Sequence, residues 1–453
     1  MAFEITRGIV DEVKEAIETG NDSFLNEILF EKHHADIAEL FDNISVNEAD
    51  YLLKLLSNEK SAEVLVELDE ELRDKLLSLR TSKEIAEIVS EHIDSDDAAD
   101  VIADLPERKR EEVISLLEDL DQASDIVDLL TYDEDSAGGL MAKELIKVNQ
   151  NWDVSQAVRE MRKQAENVDE VYTIYVVDDK NRLNGTLSLK KMLLSSSLKD
   201  KIIDIYDSES LHYVYADMPN KEVAQIMKKY DLVVVPVVDQ QMQLQGRITI
   251  DDVVDVISDE ATEDYIMASG LSDSVESNDK VLSITRARIP WLLIGLAGGI
   301  VVSQVIGIYE NQLALNPVLA FFIPLIGAMG GNVGVQSSAI VVQSLAHRDI
   351  PLDGLMGRLA KELKVALINA GICSVLLFAY TFLANPSPEL AYTVSISLFS
   401  VIILASLFGT FIPLFLNYLK IDPALATGPF ITTANDIIGL IIYFMIAKSI
   451  YGI

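Results

Sequence analysis

Gly428-Pro-Phe-Ile-Thr-Thr-Ala-Asn-Asp436-Ile-Ile-Gly-Leu-Ile-Ile-Tyr-Phe-Met-Ile-Ala447 decides how this chain is read. The stretch carries one charge and is long enough, as a helix, to cross a bilayer. An unpaired carboxylate in hydrocarbon costs at least a few kcal/mol, so an intramembrane acid usually faces a water-filled path or a bound cation. A helix-end acid reaching for the interface is the alternative, and the mid-segment position of Asp436 weighs against it.

Working backward, apolar spans at 290–309, 315–345, 365–384 and 390–419 precede a last one at 428–450, five in all. The second holds Pro324-Leu-Ile-Gly327-Ala-Met-Gly330-Gly331-Asn332-Val-Gly334-Val-Gln336-Ser337-Ser338. So many glycines and amides predict a broken helix, tolerated at that depth only inside protein or along a water-filled cavity. Tight packing through small residues also explains the glycines, though not Asn332 and Gln336. With Asp436 these groups offer oxygen ligands without Cys or His, which suits a hard cation. Basic residues cluster at Arg286 and Arg288, at Arg348, Arg358, Lys361 and Lys364, and at Lys420, whereas the loop from Asn385 to Glu389 has none. The positive-inside rule then puts the N-terminal half in the cytoplasm and the C-terminus outside, with Lys448 a minor contrary charge.

The rest of the chain is another material. Of 453 residues, 72 are acidic and 36 basic, a net of -36. From Arg286 onward eight Lys or Arg face seven Asp or Glu, so the first 285 residues hold about -37. Such a field repels nucleic acid and anionic lipid, concentrates cations, and strains the compact state unless counter-ions bind. Cys373 is the only cysteine, which excludes an intramolecular disulfide and suits a reducing compartment. The opening MAFEITRGIV has neither a basic start nor an apolar run, so no cleavable signal is expected.

Residues 1–135 show helical spacing with recurring Ala-acid-apolar pieces at Ala35, Ala62, Ala86 and Ala99, which predicts an all-α superhelical domain. Gly138-Gly139 ends that pattern. Between 136 and 258 a duplication follows: Tyr175-Val-Val-Asp178 and Gly185-Thr-Leu-Ser188 recur as Pro236-Val-Val-Asp239 and Gly246-Arg-Ile-Thr249, offset by 61. Each copy, 136–199 and 200–258, reads helix, strand, turn, strand, helix, with first helices at Val154 to Lys163 and Lys221 to Lys229. This resembles a tandem pair of cystathionine-β-synthase (CBS) domains, α/β regulatory modules that often sense adenosyl nucleotides or ions. Residues 259–285 read as a connecting helix and polar tail before the membrane domain at 286–453.

Arg288-Ile-Pro290-Trp291, Pro324 to Gln336, Glu260-Ala-Thr-Glu263-Asp264 and Asp422-Pro423-Ala424 leading to Asp436 make the chain similar to the MgtE family of magnesium channels over essentially its whole length. The resemblance implies a multidomain protein of the plasma membrane: an acidic helical N domain, a CBS pair, a plug helix and five membrane helices. It also implies a homodimer in the lipid bilayer, with one pore in which Asp436 from both subunits attracts hydrated magnesium and Asn332 lines the path. Cytosolic magnesium would bind between N domain, CBS pair and plug and close the pore. The matching positions are Asp96, Asp100, Asp231, Asp252, Asp255, Glu260, Glu263 and Asp264, while Pro219 and Lys221 stand where family members can carry acids. Asp96 and Asp100, like Glu260 and Asp264, are spaced to share a helix face and repel without a cation; a solvated acidic face is the plainer reading of either pair.

Thr249-Ile-Asp-Asp252 fits the short pattern by which CBS domains hold a ribose, which admits ATP as a further ligand, while the first copy has Ser188-Leu-Lys-Lys191. A membrane-anchored nucleotide sensor is the competing function, as is a transporter for cobalt or manganese. An intramembrane aspartyl protease would need two carboxylates in one site, and Asp436 has no evident partner within the subunit. No nucleophilic triad, phosphate-binding Gly-Lys loop or Cys/His metal cluster stands out, so no enzyme is expected; the acidic field likewise leaves no nucleic-acid partner expected.

Overall fold

Helix starts in the first part are specified by caps. Ser45 and Thr81 each take the N–H three residues on while Glu48 and Glu84 reach back, closing reciprocal boxes before α4 (Val46–Leu53) and α7 (Ser82–Val89). The computed structural model describes residues 5–452 apart from 31, 91–92, 166–167, 169–170, 195–198, 273–274, 276–280, 347–353, 385–386 and 427. Arg348 and Asn385, used above for orientation, lie outside the described residues. The chain divides into two compact units, 1–258 and 259–453.

In the first unit, short helices from α1 (Arg7–Thr19) to α10 (Leu120–Leu129) bury Phe41, Leu52, Leu65 and Leu76. Their core is continuous with that of the second CBS copy: Ile102, Val113 and Ile126 share a cluster with Val223, Val235 and Val253. At Gly138 the backbone passes so close to Tyr132 that a Cβ would lie 2.3 Å from the ring, so only glycine fits the exit from the helical region.

The duplication is structural. In copy one, β1 (Ile146–Asn149) pairs parallel with β2 (Ile174–Val177), which pairs antiparallel with β3 (Leu183–Leu187). In copy two, β4 (Val214–Tyr215), β5 (Val234–Val238) and β6 (Leu244–Thr249) repeat the order. Even the turns match: Asn181 and Met242, 61 residues apart, both adopt positive φ, at 59° and 66°. Tyr175, Val177 and Leu183 pack with Val238 and Leu244, so the copies bury apolar surface against each other. β1 and β4 extend the expected pattern. Each comes before its copy's first helix, α11 (Val154–Gln164) or α13 (Asn220–Tyr230), and is too short for periodicity to reveal. The small α12 (Leu189–Leu193) follows β3, and α14 (Ile250–Ala268) follows β6. α14 runs unbroken through residue 259, where the connecting helix was expected to begin.

The second unit holds α15 (Val281–Ile308), α16 (Glu310–Leu315), α17 (Ile323–Ala346), α18 (Gly354–Ala384), α19 (Pro388–Tyr418) and α20 (Gly428–Tyr451). Among the described residues, five helices are long and apolar enough to span a membrane. Tyr443 and Phe444 anchor their core, the Tyr443 hydroxyl donating to the Leu319 carbonyl at 2.8 Å. One expectation is corrected. The glycine-rich span is an unbroken helix, α17, and its glycines admit neighbouring helices: a Cβ at Gly409 of α19 would lie 2.4 Å from the Gly334 carbonyl oxygen. Backbone satisfied within one helix costs less in a membrane than backbone freed to line a cavity, so close packing wins.

Candidate ion sites

Asp436 sits half-buried on α20 against the glycine face of α17. A Cβ at Gly327 would lie 3.3 Å from Asp436 Oδ1, and one at Gly331 3.8 Å. The missing side chains therefore leave the carboxylate a slot beside the helix, and α17 offers no cation there among the described residues. Asn332 and Gln336 are one turn apart and exposed on another stripe of α17. Gln336 borders a separate cavity.

Two further groups of this unit, Asn435 beside Asp436 and Glu362 at the separate cavity, lie outside the expected set of site residues. Asn435 is only 2% exposed, neither of its amide atoms has a hydrogen-bond partner, and a Cβ at Gly334 would meet its Nδ2 at 1.9 Å. Glu362 is a carboxylate within another candidate span, Leu355–Ala384. α18 starts at Gly354, earlier than the apolar count suggested, because a helix needs no apolar residue at its membrane entry. The signal was available: Glu362 follows Arg358 at i, i+4 in a helical stretch.

The second acidic place lies in the first unit, at the start of α8 (Ser95–Ala103). Ser95 donates its N–H and hydroxyl to Glu144 Oε2, at 3.1 and 2.8 Å, and its hydroxyl accepts from the Lys143 N–H at 2.8 Å. Asp94 lies 3.6 Å from Arg247 of β6. These links hold the first turn of α8 with Asp96 and Asp97, and Asp100 follows one turn on; Asp252 of α14 acts on all three. Desolvation, and then Asp97, Asp252 and Asp94, hold the Asp96 carboxyl well above its ordinary range. Asp97 is pushed up to about 7 by desolvation, Asp252, Asp100 and Asp94. Asp100 rises to about 6, chiefly by desolvation, with Arg73 pulling it back; its exposed edge makes this shift count for less. Desolvation raises Asp252 as well, against hydrogen bonds from the Thr249 N–H and hydroxyl at 3.1 and 2.6 Å.

Asp97 was missing from the expected set although it adjoins Asp96. Asp255 acts on Asp252, whereas Asp231 occupies an exposed left-handed turn (φ 51°) at the end of α13. Glu260, Glu263 and Asp264 lie on the C-terminal half of α14, in the second unit. Among the described residues, no three His, Cys, Asp or Glu side chains form a group that could hold a metal ion. The cluster at α8 is thus a region of negative potential without a formed coordination cage.

A stability prediction follows. Between about 4 and 7, folded Asp97 keeps a proton that the unfolded chain releases, so stability falls as pH rises through that window and stays low above it. Carboxylates with lowered values, such as Asp178, are ionised in both states above pH 5 and do not mask the trend. The urea midpoint of residues 1–258 in divalent-free buffer should drop between pH 5 and 8; a flat or rising midpoint would contradict it.

Comparison with known proteins bears on both places. Residues 323–446 match the divalent cation transporter family MgtE, residues 32–135 the MgtE intracellular N domain, and residues 137–196 and 202–259 the CBS domain. The magnesium transporter MgtE of Thermus thermophilus is 33% identical over 440 residues, covering 96% of this chain and 97% of that protein. This chain belongs to the MgtE family. A second relative, the magnesium transporter MgtE of Bacillus subtilis, is 30% identical across 91% of both chains. Among solved structures, the cytosolic domain of the Mg2+ channel MgtE in complex with ATP matches with a TM-score of 0.50 and 33% identity, over 55% of this chain and 99% of that one. The architecture is therefore that of a helical N domain, a CBS pair and a multi-pass membrane part, in a family whose relatives are named as magnesium transporters.

Proposed function

We propose that this MgtE-family protein is a magnesium-selective channel of the plasma membrane, a homodimer whose axial pore is lined by Asp436 and Asn332, with its first 258 residues in the cytoplasm. The observation that carries this reading is the Asp436 carboxylate lying over the bare face of Gly327 and Gly331. Such a slot offers charge without a tight cage, which suits an ion that gives up its waters reluctantly. Cobalt and manganese remain competing cargoes, because the matched family is described as divalent cation transporters.

The acidic region around Asp96, Asp97, Asp100 and Asp252 supplies the gate. Millimolar cytosolic magnesium neutralises it together with Asp231, Asp255, Glu260, Glu263 and Asp264, and the neutralised state is the closed one. Thr249 and Asp252 also make ATP a ligand of the CBS pair, a reading supported by the related cytosolic domain solved with ATP. In excised patches, raising magnesium on the cytoplasmic side should close the channel over the millimolar range, and replacing Asp96, Asp97 and Asp100 by asparagine should shift closure to at least tenfold higher concentration. ATP should move the closing concentration in the native protein and not in Asp252→Asn. Currents indifferent to cytoplasmic magnesium would reject the gating mechanism while leaving conduction intact.

A further inference from the structure

A cavity of about 370 Å³ lies among α17, α18 and α19, away from the Asp436 slot, and the transporter reading gives it no task. Its polar lining is oxygen-rich: the Glu362 carboxylate, the hydroxyls of Ser337, Ser406 and Thr410, and the amides of Gln336 and Asn369. Glu362 Oε1 accepts from the Ser337 hydroxyl at 2.7 Å and from the Ser406 hydroxyl, and the two serine oxygens are 3.1 Å apart. One carboxylate oxygen of α18 thus gathers hydroxyls from two other helices, α17 and α19. Thr410 is only 2% exposed, borders the cavity, and its Oγ1 has no hydrogen-bond partner. Burying an unsatisfied hydroxyl is unfavourable, and a ligand in the cavity would recover that cost.

The geometry points to a second cation site: we propose that this cavity holds a hydrated divalent cation, bound through Glu362 and, by way of its waters, through the surrounding hydroxyls and amides. A magnesium-like ion is commonly held by one or two carboxylates while keeping several waters, so one acid with the hydroxyls and amides beside it, in a cavity otherwise walled by Val333, Ile340, Val341 and Val365, is an adequate donor set. Six waters at about 30 Å³ each occupy about half of this volume, which leaves room for the ion without stripping it. Coordination confined to one acid also explains why no three-acid group marks the place.

Two basic side chains tune the site. Arg358, one turn before Glu362, donates to the Ser344 hydroxyl at 3.0 Å, and Lys361 is exposed at the same cavity. Their charge opposes a divalent ion and keeps binding weak. The proposal is therefore a site of transient occupancy, where an ion is staged or released, rather than a permanent structural metal. It rests on the divalent-transport reading but not on the role of Asp436.

Manganese is the probe. Crystals of the full chain soaked in tens of millimolar manganese should give an anomalous peak inside the cavity, within water-mediated reach of Glu362. The peak should vanish in Glu362→Gln while any peak at Asp436 persists, weaken at least twofold in Thr410→Val, and strengthen in Lys361→Gln. A cavity without a peak in the native protein, or a peak unchanged in both Glu362→Gln and Thr410→Val, overturns the proposal. Should Glu362→Gln fail to fold, Lys361→Gln still decides: an unchanged or weaker peak counts against the site. Loss of the Asp436 peak alone would instead count against the pore assignment.

Discussion

Replacing Asp436 by alanine should reduce magnesium flux into proteoliposomes at least a hundredfold, with the protein still folded. The carboxylate supplies the charge in the slot beside Gly327 and Gly331, and neutral atoms cannot compensate a divalent ion taken out of bulk water. Asp436→Asn separates charge from shape: it keeps the volume and a carbonyl oxygen, yet should lose nearly as much flux. Flux that survives in the asparagine variant at more than a tenth of native would mean that Asp436 acts through packing. Radioactive or dye-reported uptake under a fixed gradient measures all three proteins, and size-exclusion profiles check folding.

The second large effect is structural. Gly409→Val should prevent the membrane unit from assembling, because even a Cβ at this position would sit 2.4 Å from the Gly334 carbonyl oxygen and 3.1 Å from its Cα. Those are backbone atoms of α17, so nothing flexible can yield, and α17 would have to leave α19. Overpacking of this kind typically costs 1–3 kcal/mol and occasionally more, and here the displaced helix is also the one bearing Gly327 and Gly331. Gly371→Ala is the control, since a Cβ there meets nothing within 4 Å. Detergent-solubilised Gly409→Val should run as aggregate while Gly371→Ala stays monodisperse. A monodisperse Gly409→Val with native flux would show that the two helices are free to separate.

Much of the architecture is legible in the residues because it is governed by local patterns. Apolar length alone finds five spans, an offset of 61 finds the CBS duplication, and the matching left-handed turns at Asn181 and Met242 follow from it. The two-residue β4 is invisible at that level, since so short a strand exists only through its partner β5. Glu362 was passed over for a different reason: it stands among Arg358, Lys361 and Lys364, where a charged stretch reads as a loop. Only the approach of Ser337 and Ser406 from two other helices identifies it as an interior carboxylate.

By itself the sequence determined that this protein is an acidic helical and α/β assembly joined to five membrane helices, because hydropathy, charge and repeat spacing are properties of each segment taken alone. Tertiary structure decided what the unusual residues do. The glycines of α17 could have broken a helix or admitted neighbours, and the choice rests on distances to Asp436, Asn435 and Gly409 that no spacing encodes. The same holds for Asp97 and Asp252, 155 positions apart, whose mutual repulsion exists only because folding removes both from water at one place. Electrostatic energy depends on separation in space and on the dielectric between charges, and the fold sets both.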